Sequence, residues 1–117
     1  MPLPEYKKLV DEAKSEIKEI TPDDLKNMQQ KKEDFTLIDV REPDEVAQGT
    51  IPGAEPLPRG LLEYKIDTIA TDKDKPVVLY CGGGGRSALG AQSLQKMGFK
   101  NVMSLAGGYK GWKEENK

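Results

Sequence analysis

Val77-Val78-Leu79-Tyr80-Cys81-Gly82-Gly83-Gly84-Gly85-Arg86-Ser87-Ala88 is the stretch on which the reading of the chain turns. A short apolar run ends at the one cysteine of the protein. Four glycines follow, then an arginine, then a serine of the type that caps helices. This pattern predicts a buried strand, a tight loop and a helix that follows Ser87. Such a loop turns several backbone N–H groups inward and lies at the positive end of a helix dipole, where an anion is stabilised. The anion that the chain itself supplies there is the Cys81 thiolate.

The flanking sequence alternates strand and helix patterns. Before the loop, Phe35-Thr36-Leu37-Ile38-Asp39-Val40 has strand length and β-forming side chains. Pro43 with acids behind it opens a short helix that ends at Gly49. Thr21-Pro22-Asp23-Asp24 places a hydroxyl at an N-cap, Pro at the first helical position and acids in the first turn, with Leu25 and Met28 facing inward. Tyr6, Leu9, Val10, Ala13 and Ile17 recur at helical spacing and predict an amphipathic N-terminal helix. Glu55 to Pro58 reads as extended, and Arg59 to Ile66 as a helix with Leu61, Leu62 and Ile66 as its apolar side. After the loop, Ala88, Leu89, Ala91, Leu94 and Met97 predict a helix ending at Gly98, and Val102 to Leu105 a last strand. A final short helix carries Trp112 as a packing anchor.

Alternating elements imply an α/β fold with a mostly parallel sheet and helices on both faces. In such sheets ligands bind beyond the carboxyl ends of the strands. Asp39 and Cys81 both end predicted central strands, so the Arg41 loop and the Cys81 loop fall on one edge. An Asp39–Arg41 ion pair holding the loops together follows from their spacing.

Composition narrows the chemistry. At 117 residues the chain is read as one domain, 1–117, with an N-terminal helical extension over 1–19 and a core over 20–115. A net charge of −2 gives no basic field for nucleic acid or acidic lipid. No apolar run reaches the roughly 20 residues that span a bilayer. The N-terminus lacks the apolar region of a signal peptide, which leaves a cytoplasmic setting as the expectation. A single cysteine forms no internal disulfide, and the absence of histidine excludes a Cys–His dyad and a His-ligated metal site.

An ordinary thiol has a pKa of about 8.5, and a helix N-terminus, a nearby arginine and converging N–H groups all lower it. A buried structural cysteine is the competing reading, and four glycines directly after it are poorly explained by packing. A Walker A loop fails on glycine spacing and on Arg86-Ser87 in place of Lys-Ser/Thr. A cysteine phosphatase carries C-x5-R behind a His, whereas here the interval is Cys81-x4-Arg86 behind Tyr80. The shorter loop suits one sulfur better than a phosphoryl group.

The chain resembles the single-domain rhodaneses, of the thiosulfate:cyanide sulfurtransferase type. The resemblance runs from Ile20 to Trp112 and is carried by four blocks in order: Leu37-Ile38-Asp39-Val40-Arg41-Glu42, Gly49-Thr50-Ile51-Pro52-Gly53-Ala54, Val78 to Ser87, and Leu105-Ala106-Gly107-Gly108-Tyr109-Lys110-Gly111-Trp112. It implies a three-layer rhodanese-like fold around a five-stranded sheet, with helices on both faces. It also implies a persulfide on Cys81, a six-residue loop from Cys81 to Arg86, and Asp39 and Arg41 as supporting polar residues. Gly82, Gly83, Gly84, Gly85, Arg86 and Ser87 then line the substrate site, with Arg59 a candidate for its rim. Arg86 either contacts the sulfonate of a donor or closes the loop with a salt bridge. Ser87 either bonds the sulfur or caps its helix, and the cap is preferred. The expected activity moves a sulfane sulfur from a donor such as thiosulfate to cyanide, a small thiol or a protein thiol. It needs no cofactor or metal, and a monomer suffices. The alternatives are a non-catalytic binding or regulatory module and, less favoured, a phosphatase or arsenate reductase. Two departures stand out: Thr50 replaces a common histidine, and Gly82 and Gly83 stand where bulky or basic residues are usual, which leaves a more open and less charged pocket.

Overall fold

The computed structural model describes residues 2–116. Its elements are α1 (Pro4–Glu16), β1 (Lys18–Ile20), α2 (Pro22–Gln30), β2 (Thr36–Asp39), α3 (Pro43–Val46), β3 (Glu55–Pro56), α4 (Leu62–Lys65), β4 (Val77–Tyr80), α5 (Gly85–Lys96), β5 (Val102–Leu105) and α6 (Gly108–Glu115). Short 3-10 turns at Arg59–Leu61 and Ile66–Thr68 flank α4. The five strands form one sheet in the order β1-β5-β4-β2-β3, and every pairing is parallel. The α/β expectation therefore holds, and "mostly parallel" becomes wholly parallel. No helix among the described residues is long and apolar enough to cross a membrane.

The central strand shows why both faces are covered. In a strand, successive side chains point to opposite faces. Val77, Leu79 and Cys81 join one core with Leu62, Ile66, Ala91 and Leu94. Val78 and Tyr80 join the other with Leu25, Ile51, Met103 and Leu105, against which Tyr109 and Trp112 pack. All four residues of β4 are buried. Cys81 thus continues the α5 side of the strand and emerges at the first turn of that helix.

Local signals acted as their chemistry requires. The Thr21 hydroxyl accepts the Asp24 N–H at 3.0 Å, and the Asp24 carboxylate accepts the Thr21 N–H at 3.0 Å. This reciprocal cap removes two unpartnered N–H groups at the start of α2. Gly98 takes φ +96° beyond α5, as a C-terminal glycine should. Two apolar expectations fail. Leu61 is 42% exposed because the chain turns as 3-10 at Arg59–Leu61 and tightens the period. In α1 only Val10 and Ala13 are buried, while Leu9 is 55% exposed, because the helix meets α5 along a narrow seam.

Asp39 and Arg41 form the predicted pair. The Arg41 guanidinium donates to both Asp39 oxygens, the shortest bond being 2.7 Å, and to the Gly49 carbonyl at 2.7 Å. The Arg41 N–H also donates to Asp39 at 3.0 Å. The guanidinium stacks over Tyr109 at 4.4 Å and faces Tyr80 at 5.8 Å. Both charged side chains are buried. A buried pair adds little net stability, but removing one partner strands the other charge. Replacing Arg41→Ala is expected to lower unfolding stability by about 3–5 kcal/mol, read from urea denaturation midpoints. A loss below about 1 kcal/mol would show that the pair does not hold these loops.

Candidate active site

The Cys81 loop closes in a few residues because α6 takes up its carbonyls. The Tyr109 N–H donates to the Cys81 carbonyl at 2.7 Å, and the Lys110 N–H to the Gly82 carbonyl at 3.1 Å. These two peptide units carry the Gly82 and Gly83 N–H groups, and the Gly83 N–H acts on the sulfur. Gly84, at φ +107°, reverses the chain there and serves as N-cap of α5. Gly108, at φ +57°, makes the same closeness possible from the other side: a Cβ on it would collide with the Cys81 carbonyl oxygen.

Two N–H groups and one hydroxyl reach the sulfur. Gly84 N lies 3.1 Å from Cys81 Sγ, Ser87 N lies 3.4 Å away, and Ser87 Oγ lies 3.5 Å away. Ser87 Oγ is also 2.8 Å from Ser104 Oγ on β5, so a buried hydroxyl pair backs the thiol. Cys81 is only 1% exposed, so the protein's own donors dominate the surroundings of its sulfur. Burial by itself pushes the Cys81 thiol up; the Ser87 hydroxyl and the N–H groups of Ser87, Gly84 and Gly83 outweigh it and hold the thiol below its ordinary value. The N-terminus of the twelve-residue helix α5 acts in the same direction.

The expectation for Ser87 is corrected. Gly84 is the cap, and Ser87 lies inside the first turn of α5 with its hydroxyl directed to Cys81, Ser104 and the Gly84 carbonyl. The helix starts at Gly85, ahead of the predicted point, because Gly84 takes the left-handed conformation that reverses the chain there. Of the two readings of Arg86, the structure has the salt bridge. Its guanidinium grips Glu45 of α3 at 2.7 and 3.0 Å. The Glu45 carboxyl is pulled down to about 2, chiefly by its hydrogen bonds with Arg86. Arg86 is held above its ordinary value, first by Glu45 and then by the charge on Cys81.

Asp39 and Arg41 support the site from behind, through Gly49 and the Tyr109 ring, and do not face the sulfur. Arg59 lies along α5, donating to Glu63 at 2.9 Å and to Ser93 at 3.4 Å, so the structure does not bring it to the loop. Three contributors escaped the sequence reading. Glu45 and Ser104 are polar residues with clear positions, and Ser104 interrupts an apolar strand, which is a usable signal. Tyr6 shows in the sequence only as a member of the α1 stripe, with nothing to tie it to the loop: a Cβ on Gly85 would lie 3.0 Å from its hydroxyl, so α1 roofs the end of the loop.

The rhodanese-like domain family matches residues 21–115. A protein named "Sulfurtransferase" from Allochromatium vinosum is 38% identical over 96 residues, 82% of this chain and 88% of that protein. "Thiosulfate sulfurtransferase GlpE" of Coxiella burnetii is 40% identical over 83 residues, 71% of this chain and 76% of that one. Among solved structures, a Rhodopseudomonas palustris protein of unknown function, described as a "possible tyrosine phosphatase", superposes with a TM-score of 0.86 at 35% identity, covering 99% of this chain and 96% of the other.

Alkylation of Cys81 by iodoacetamide is expected to show a midpoint below that of an ordinary thiol, about pH 8.5, and Ser87→Ala to raise that midpoint. A midpoint at or above the free-thiol value would contradict the hydrogen-bonding pattern. Glu45 has a folded pKa near 2 against an ordinary 4.5, so its stabilising contribution is full above pH 4.5 and fades as pH falls toward 2. The pair is about one-third exposed, which limits that contribution to roughly 1 kcal/mol. Glu45→Gln is therefore expected to be less stable than the parent at pH 7, with the gap closing on acidification; a gap that persists at pH 2 would assign the effect to something else.

Proposed function

The chain belongs to the rhodanese-like domain family, and from that membership and the loop geometry we propose that it is a sulfurtransferase working through a persulfide on Cys81. The observation that carries this reading is the set of N–H groups converging on a buried Sγ: Gly84 and Ser87 donate to it. They favour the thiolate before transfer and the persulfide anion after it.

With thiosulfate as donor, the Cys81 thiolate attacks the outer sulfur. A new S–S bond forms at Cys81, the S–S bond of thiosulfate breaks, and its electron pair leaves with sulfite. The Cys81 persulfide then gives its terminal sulfur to cyanide or to a thiol. This is covalent catalysis by an activated nucleophile, and it requires no general base because the thiol is already acidified. Thiosulfate as a donor is supported by the name of the C. burnetii relative. The Ser104 hydroxyl, 2.8 Å from Ser87 Oγ, positions the one hydroxyl that reaches Sγ.

The description of the R. palustris structure raises a phosphatase as a second reading. Against it, the arginine that would clamp phosphate is already bound to Glu45, and the loop is C-x4-R in length. Cys81→Ala is expected to abolish thiocyanate formation from thiosulfate and cyanide, and intact-mass analysis of the parent after thiosulfate treatment to show one added sulfur atom. Thiocyanate production that survives the substitution would sink the mechanism. Hydrolysis of 4-nitrophenyl phosphate lost with Cys81→Ser would favour the phosphatase.

A further inference from the structure

Arg86 is the only charged side chain between Cys81 and Ser87, and a carboxylate already fills its hydrogen-bonding fork. The bidentate grip has the geometry with which arginine binds an oxyanion. The pair lies against the loop just beyond the sulfur: a Cβ on Gly82 would stand 3.2 Å from Arg86 Nη2 and 3.8 Å from Glu45 Oε2. Glu45 is anchored a second time, since its Oε1 accepts the Glu42 N–H at 3.0 Å. Glu42 and Asp44 flank it on the same segment and make that side of the loop acidic. The protein's other two arginines are engaged elsewhere, Arg41 with Asp39 and Gly49, and Arg59 with Glu63. Lys110, whose N–H caps the Gly82 carbonyl, remains as an exposed cation beside the loop.

We propose that Glu45 is a specificity-determining residue: it competes within the protein for the oxyanion face of Arg86 and so disfavours sulfur donors that carry a sulfonate. This rests on the sulfurtransferase reading and narrows it. The favoured donor is an organic persulfide, R–S–SH. The Cys81 thiolate attacks its terminal sulfur, a new S–S bond forms at Cys81, the S–S bond of the donor breaks, and R–S⁻ leaves with the electron pair. No sulfonate has to displace Glu45 in that exchange. Glu45 acts through Arg86 and is a positioning residue.

Methanethiosulfonate reagents test this without calling on sulfane transfer, because Cys81 only displaces methanesulfinate from them and forms a mixed disulfide. The rates of an uncharged methyl reagent and a sulfonatoethyl reagent are compared on the whole protein. In the parent, the sulfonate-to-methyl rate ratio is expected to fall below that of free mercaptoethanol. In Glu45→Gln, which retains an oxygen acceptor for the Glu42 N–H, the ratio should rise about five-fold. The KM for thiosulfate should fall by a similar factor, with the change on KM rather than kcat. A ratio unchanged by Glu45→Gln overturns the proposal. A parent ratio at or above that of mercaptoethanol overturns it as well, and that measurement needs no variant to fold. Failure to detect a persulfide from either thiosulfate or glutathione persulfide would overturn the sulfurtransferase reading instead, and it leaves the reagent ratios readable.

Discussion

The site depends on where two carbonyl groups point. Peptide units have a donor edge and an acceptor edge, so N–H groups can face a sulfur only if the carbonyls find partners on the other side. Here the first turn of α6 supplies those partners for the peptide units that carry the Gly82 and Gly83 N–H groups, through the N–H groups of Tyr109 and Lys110, and Gly84 at positive φ then turns its own N–H to the sulfur. An N-terminal turn has N–H groups without intrahelical acceptors, so the exchange satisfies both elements at once. Gly107 and Gly108, both at positive φ, let α6 start close enough to the loop to make it. The loop that holds the nucleophile is thus shaped as much by the last helix as by its own four glycines.

Two arginine–carboxylate pairs divide the labour at this edge of the sheet. Asp39–Arg41 is buried, reaches Gly49 and the face of Tyr109, and ties the α3 segment to α6. Arg86–Glu45 is about one-third exposed and ties α3 to α5. The first cannot be broken cheaply, because each charge is desolvated. The second faces solvent and can exchange partners, since exposed pairs are weak. The same residue chemistry therefore gives a fixed brace in one place and a tunable one in another, and burial alone separates them.

Much of this was legible in the sequence. Strands and helices alternate with clear caps, and Cys81 had to end a central strand because Val77 to Tyr80 is apolar on both faces. The Asp39–Arg41 pair followed from spacing at a strand end. Other features were illegible for identifiable reasons. Ser87 looked like a cap because serine usually is one, but the backbone freedom of Gly84 placed the cap three residues earlier. Leu61 belonged to a helical stripe only if the turn was α, and it is 3-10. Glu45 meets Arg86 across 41 positions of sequence, and no local pattern encodes such a contact. The roof that Tyr6 places over Gly85 comes from an element outside the residues matched by the family.

Trp112 acquires an optical meaning from this arrangement. It is the one tryptophan of the chain, its indole stacks on the Tyr109 ring at 6.4 Å, and its buried Nε1 has no hydrogen-bond partner among the described residues. Tyr109 in turn holds the Cys81 carbonyl through its backbone. Two contacts therefore join the nucleophile's residue to a single fluorophore. The chain thus carries its own single optical probe on the helix that holds the nucleophile's carbonyl, available without a label.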